Sequence, residues 1–168
     1  NFLLLPLYVY VFAEPKDYGV ISILYAWVAF LIVLLPLGME TAFFKFISDN
    51  KEKKETVFRN SFLTVAGFNS LFLIIALLFS SKIANWMLLP DHPEYVILLV
   101  LIVCIDATAA LPLAKLRSEN QAKRFALIQL TSIFVNIVFN VVPLLFFFDN
   151  SDPHQGIMYI LFANLLSS

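Results

Sequence analysis

The chain has 168 residues, 61% of them hydrophobic and only 14% charged, with a formal net charge of −1 and a mean hydropathy of +0.87. So apolar a composition excludes a soluble domain of this length and indicates a multi-pass membrane protein. The near-zero net charge identifies no partner, because the charges sit in short patches; no nucleic-acid partner is expected.

Apolar runs predict an all-α polytopic transmembrane bundle, one domain over 1–168, with spans at 1–12 (partial), 19–46, 62–79, 95–114, 125–148 and 157–168 (partial). The chain opens at Asn1, without Met and already inside an apolar run, so it reads as a fragment. Asn1 to Phe12 lacks the basic leader and small-residue cleavage site of a signal peptide. The 19–46 run is the longest: as one helix it would reach about 42 Å, beyond a hydrocarbon core of about 30 Å.

Linkers fall at 13–18, 47–61, 80–94, 115–124 and 149–156. Lys45, Lys51, Lys53, Lys54 and Arg59 cluster at the second, and Lys115, Arg117, Lys123 and Arg124 in the fourth. Only Lys16 and Lys82 lie in the others, which carry Glu14, Asp17, Asp91, Glu94, Asp149 and Asp152. The positive-inside rule therefore places 47–61 and 115–124 in the cytoplasm. Tyr8, Tyr10, Tyr18, Trp86, Tyr95 and Tyr159 fall near the outer ends and read as an interfacial belt. Asp49/Lys53 and Lys51/Glu55 have the i,i+4 spacing of a solvated helical turn extending the 19–46 span.

Polar groups inside spans point to function, because each must find a partner, line a cavity or snorkel. Asp106 lies in mid-span, followed by Ala107, Thr108, Ala109 and Ala110; it reads either as a structural hydrogen bond or as a cavity-lining, ion-coupling group. Glu40 is a second ion-coupling candidate, or else it snorkels to the interface beside Lys45. Gln129, Ser132, Asn136 and Asn140, spaced by three, four and four, share one face of the fifth span. That stripe suits either a polar cavity or interhelical amide bonding. Thr64, Asn69 and Ser70 form no comparable stripe. Pro6, Pro36, Pro112 and Pro143 interrupt apolar runs and can kink their helices.

The single cysteine, Cys104, reads as an apolar packer. His92 and His154 sit in outer linkers beside prolines, with no second His or Cys close in sequence, and no metal site is assigned to them. No nucleotide-binding glycine loop and no nucleophile triad is present, so neither an enzyme nor a cofactor is expected.

The segments Asp17-Tyr18-Gly19, Tyr25-Ala26, Gly38-Met39-Glu40-Thr41-Ala42-Phe43-Phe44-Lys45-Phe46 and Pro112 to Phe125, with Lys115-Leu116-Arg117-Ser118-Glu119-Asn120, carry a further signal. This pattern resembles bacterial polysaccharide biosynthesis proteins, oligosaccharide flippases of the multidrug/oligosaccharidyl-lipid/polysaccharide exporter superfamily. The resemblance implies the amino-terminal lobe of a two-lobed transporter in the bacterial cytoplasmic membrane, the rest of the chain being missing. A polyprenyl-pyrophosphate-linked oligosaccharide would then be flipped by alternating access. In that reading Asp106 and the stripe line the cavity, Arg117, Lys123 and Arg124 meet the diphosphate, and H⁺ or Na⁺ is the coupling ion. A cation-coupled multidrug exporter and a non-transporting scaffold of a glycan export complex are the alternatives.

Overall fold

The computed structural model describes residues 4–12, 15–49, 54–148 and 153–168, and the regular structure among them is helical. In chain order these are α1 (Leu5–Val11), α2 (Pro15–Leu34), α3 (Met39–Asp49), α4 (Lys54–Leu78), α5 (Ser80–Trp86), α6 (Pro93–Ser118), α7 (Ala122–Phe146) and α8 (Pro153–Ser167). Four segments are long and apolar enough to cross a membrane: Lys16–Ser48, Lys54–Leu78, Pro93–Ser118 and Ala122–Phe146. They correspond to the four complete spans expected. Glu14, Lys51, Lys53, Asp149 and Asp152, and with them the Asp49/Lys53 and Lys51/Glu55 pairings, lie outside the described residues.

The central post is α6, which packs against α2, α3, α4, α5, α7 and α8. Half of its most apolar stretch is buried by protein, against 22% for Lys16–Ser48 and for α4 and 11% for α7. Those three therefore turn most of their apolar surface outward, as helices bathed in lipid do. Between Glu94 and Lys115 the sequence of α6 carries one charge, Asp106. Val103, Ala107 and Ala114 let neighbouring backbones approach it closely.

The 19–46 run is not one helix. The structure breaks it at Leu35–Gly38, where Leu37 (φ 54°) and Gly38 (φ 64°) take left-handed conformations. Pro36 supplies no amide donor, and two consecutive left-handed residues end the α ladder, so α3 restarts in a new direction. Phe43 of α3 packs with Val65 of α4 and Leu111 and Ala114 of α6, a small apolar cluster separate from the main core. Thr41, Lys45 and Phe46 on the other side of α3 are exposed.

Much of the expected 47–61 linker is also helical, because α3 runs to Asp49 and α4 begins at Lys54. Ion pairs hold this layer: Lys115 Nζ donates to both carboxylate oxygens of Glu55 (3.0 and 2.8 Å) and lies over the Phe58 ring, and Lys54 pairs with Glu119. Residues 80–86 of the expected 80–94 linker form α5.

Where α6 ends, Asn120 (φ 57°) takes the left-handed position, the Gln121 amide reaches Leu116 O (3.0 Å) and the Asn120 amide reaches Arg117 O (3.2 Å). This is the Schellman arrangement that satisfies the last carbonyls, and it sends the chain straight into α7.

The aromatic belt needs correction at two positions. Tyr10 (82% exposed) and Trp86 (77%) suit an interface, but Tyr8 is 2% and Tyr95 1% exposed. Each hydroxyl finds a polar partner inside the protein, Asn140 for Tyr8 and His154 for Tyr95. Cys104 is buried, as expected of a packer.

Candidate transport cleft

A cavity of about 400 Å³ opens between α2, α6, α7 and α8, with Tyr25, Asp106, Ser132, Asn136 and Asn164 as its polar lining. A second, of about 730 Å³, includes Pro36, Glu40, Asp106, Arg117, Phe125, Gln129 and Ser132. Both are lined by Asp106, Ser132, Ser167 and Ser168, so they form one cleft. It runs from the level of Tyr25 to the start of α3, at Glu40, and the basic end of α6, at Arg117. Asp106, near the midpoint of α6, stands where the two parts meet, beside the small residues Ala107, Ala109 and Ala110.

The break at Pro36 matters to this site, since it sets Glu40 on the cleft wall across from α6. Arg117 Nη2 donates to Glu40 Oε1 at 2.5 Å. The sequence favoured Lys45 as the cation beside Glu40; the partner is Arg117, seventy-seven positions along, because α3 and the end of α6 are packed together and Lys45 points outward. Phe44 and Phe125 flank the guanidinium, their ring centroids 5.7 and 5.4 Å from its central carbon. Cation–π attraction fixes a side chain whose planar fork suits bidentate binding of oxyanions.

The four-residue stripe of α7 divides. Gln129 and Ser132 line the cleft. Asn140 is fully buried away from it: its amide donates to Asn136 O (2.7 Å) and its Oδ1 accepts from the Tyr8 hydroxyl (2.9 Å). Asn136 does both, lining the cavity while donating to Asn164 Oδ1 (3.0 Å) and Ser167 Oγ (2.9 Å). Asn164 in turn donates to the Tyr25 hydroxyl at 3.0 Å. A polar chain thus ties α1, α2, α7 and α8 together. Tyr25 and Asn164 were not anticipated as site residues, although Asn164 lies within the last apolar run, where a lone amide is the same kind of signal as Asp106.

Lys123 and Arg124 are exposed at the start of α7 and do not line the cleft; Arg124 Nη1 donates to Gln121 Oε1 (2.9 Å).

A family model described as polysaccharide biosynthesis protein matches residues 12–149. The chain belongs to that family. No curated protein and no solved structure matches it. Membership of the polysaccharide biosynthesis family, with four membrane-crossing helices, supports a role in polysaccharide synthesis or export at a membrane. The matched region contains Glu40, Asp106, Arg117, Gln129 and Ser132, whereas the Asn164 and Ser167 lining lies beyond it.

Proposed function

We propose that this protein is a transporter rather than an enzyme, and that it flips a polyprenyl-diphosphate-linked oligosaccharide across the bacterial cytoplasmic membrane by alternating access. The observation that carries this reading is the continuous cleft from Asp106 to a mouth where Arg117 is held between two aromatic rings and one carboxylate. A diphosphate competes with Glu40 for the guanidinium, which recognises both through the same fork. Sugar hydroxyls then meet Gln129, Ser132 and Asn136, and the prenyl chain stays against the lipid-facing surfaces of α2 and α7. Lys123 and Arg124 add attraction for anionic headgroups near the mouth.

Asp106 favours a second element, coupling to H⁺ or Na⁺: it is a carboxylate at mid-membrane depth on the cleft wall, and no ion pair to it occurs among the described residues. A cation-coupled drug exporter would use the same residue.

The test is leaflet translocation of a labelled polyprenyl-diphosphate oligosaccharide in vesicles containing the full-length protein, with and without a pH or sodium gradient. Translocation that is lost in Arg117→Ala is expected. A folded protein that moves no lipid-linked sugar under either condition, while exporting cationic drugs, would overturn the flippase in favour of the exporter.

A further inference from the structure

At the opposite end of the molecule from the Arg117 mouth, the starts of α6 and α8 bring two histidines together. His92 precedes Pro93 at the start of α6, Glu94 sits in that helix's first turn, and His154 follows Pro153 at the start of α8. Sixty-two positions separate the histidines in sequence, yet their rings stack with centroids 4.8 Å apart and 19° between planes. His92 Nδ1 lies 2.9 Å and His154 Nδ1 3.8 Å from the same oxygen, Glu94 Oε1. The three donor atoms all lie within 4.8 Å of one another.

We propose that His92, Glu94 and His154 form a binding site for a divalent transition metal of the zinc class, clipping the outer end of α6 to that of α8. Two imidazoles and a carboxylate are a donor set that suits Zn²⁺ and its neighbours, and poorly suits Mg²⁺ or Ca²⁺, which take oxygen ligands. Around a tetrahedral Zn²⁺ with bonds of about 2.0–2.1 Å, ligand atoms stand about 3.3 Å apart. The 2.9 and 3.8 Å separations from Glu94 Oε1 bracket that spacing.

Charge and orientation support it. Two helix N-termini converge here and by themselves repel a cation. The Glu94 carboxylate sets a negative charge against both imidazoles. Tyr95, buried beneath the cluster, places its hydroxyl 2.7 Å from His154 Nδ1 and stacks on His92 (centroids 4.7 Å apart), which fixes both rings. A metal bound at His154 Nδ1 would take the place of the Tyr95 hydroxyl on that nitrogen. All three side chains remain more than a third exposed, which leaves a route for the ion and a fourth position for water.

The test uses full-length protein purified in detergent without a histidine tag, stripped with chelator and titrated with Zn²⁺ and with Co²⁺. One equivalent should bind, with the visible Co²⁺ absorption of a four-coordinate site and a metal-dependent rise in melting temperature. His92→Gln and His154→Gln should each weaken binding about tenfold or more. His154→Cys should retain the metal and add a thiolate-to-cobalt charge-transfer band, a readout independent of whether the glutamine variants fold. Arg117→Ala should leave the affinity unchanged. Folded protein that binds no equivalent, wild-type affinity in both glutamine variants, or a His154→Cys cobalt spectrum without the thiolate band overturns the site.

Discussion

Arg117 and Glu40 face each other across the mouth of the cleft, the guanidinium donating to the carboxylate and thereby tying α6 to α3. Their side chains are 42% and 38% exposed, so the pair adds little to stability, about 0–1 kcal/mol at most. Under the proposed transport role its consequence is functional. Arg117→Ala should lower glycan export roughly ten- to a hundredfold, the range of a lost hydrogen bond to a charged group at about 1.5–3 kcal/mol, with the melting temperature nearly unchanged. Arg117→Lys should rescue only part, because an ammonium lacks the planar fork. Complementation of surface-glycan export in cells checks both, and full activity of Arg117→Ala would remove the residue from the mechanism.

Ser132 and Asn140 belong to one stripe in sequence and to two environments in the fold. In a Cys104→Ala background, a cysteine at Ser132 should react with a membrane-impermeant thiol reagent, while one at Asn140 should not. Equal labelling at the two positions would contradict the cleft as drawn.

The Tyr8–Asn140 hydrogen bond joins α1 to α7 where little else does. Asn140→Leu should destabilise the protein by about 1–3 kcal/mol, because it removes the buried amide oxygen that accepts from the Tyr8 hydroxyl. Once Tyr8→Phe has removed that hydroxyl, the further loss should shrink by about 0.6 kcal/mol, the average for interhelical bonds inside a bilayer. Thermal melts of the four proteins of the cycle in detergent measure this coupling; strict additivity would mean that the contact contributes nothing.

Leu37 and Gly38 adopt similar left-handed backbones but differ in chemistry, so substitutions there should act with opposite sign. Leu37→Gly relieves a side chain held at φ 54° and should stabilise by about 1 kcal/mol. Gly38→Ala should destabilise by a similar amount from conformation alone, since an added Cβ meets nothing within 4 Å. Melting temperatures that move in the same direction would show that the break is not what strains this segment.

Gly156 has the opposite problem, with space rather than angle limiting it. A Cβ there would stand 2.5 Å from Phe148 Cε2 and 2.8 Å from Phe12 Cζ. Gly156→Ala should therefore destabilise by about 1–3 kcal/mol. Adding Phe148→Ala should recover part of the loss in the same melting assay, and no recovery would place the clash on Phe12 instead.

The sequence by itself determined the solvent, the four spans, the side on which the basic residues gather, and the family. Each of these depends on local composition: run length against bilayer thickness, Lys and Arg counts in short linkers, and motifs contiguous in the chain. It also singled out Asp106, Gln129 and Ser132, because a polar group in an apolar run is visible without knowing its neighbours. Only the tertiary structure decided which polar groups share space. Glu40 met Arg117 rather than Lys45, Tyr8 left the interfacial belt for Asn140, and His92 stacked on His154, all across separations that no local pattern encodes. The physical reason is that α6 touches six other helices, so the helices around it are placed by packing against one post, and each polar side chain takes whichever partner that packing delivers.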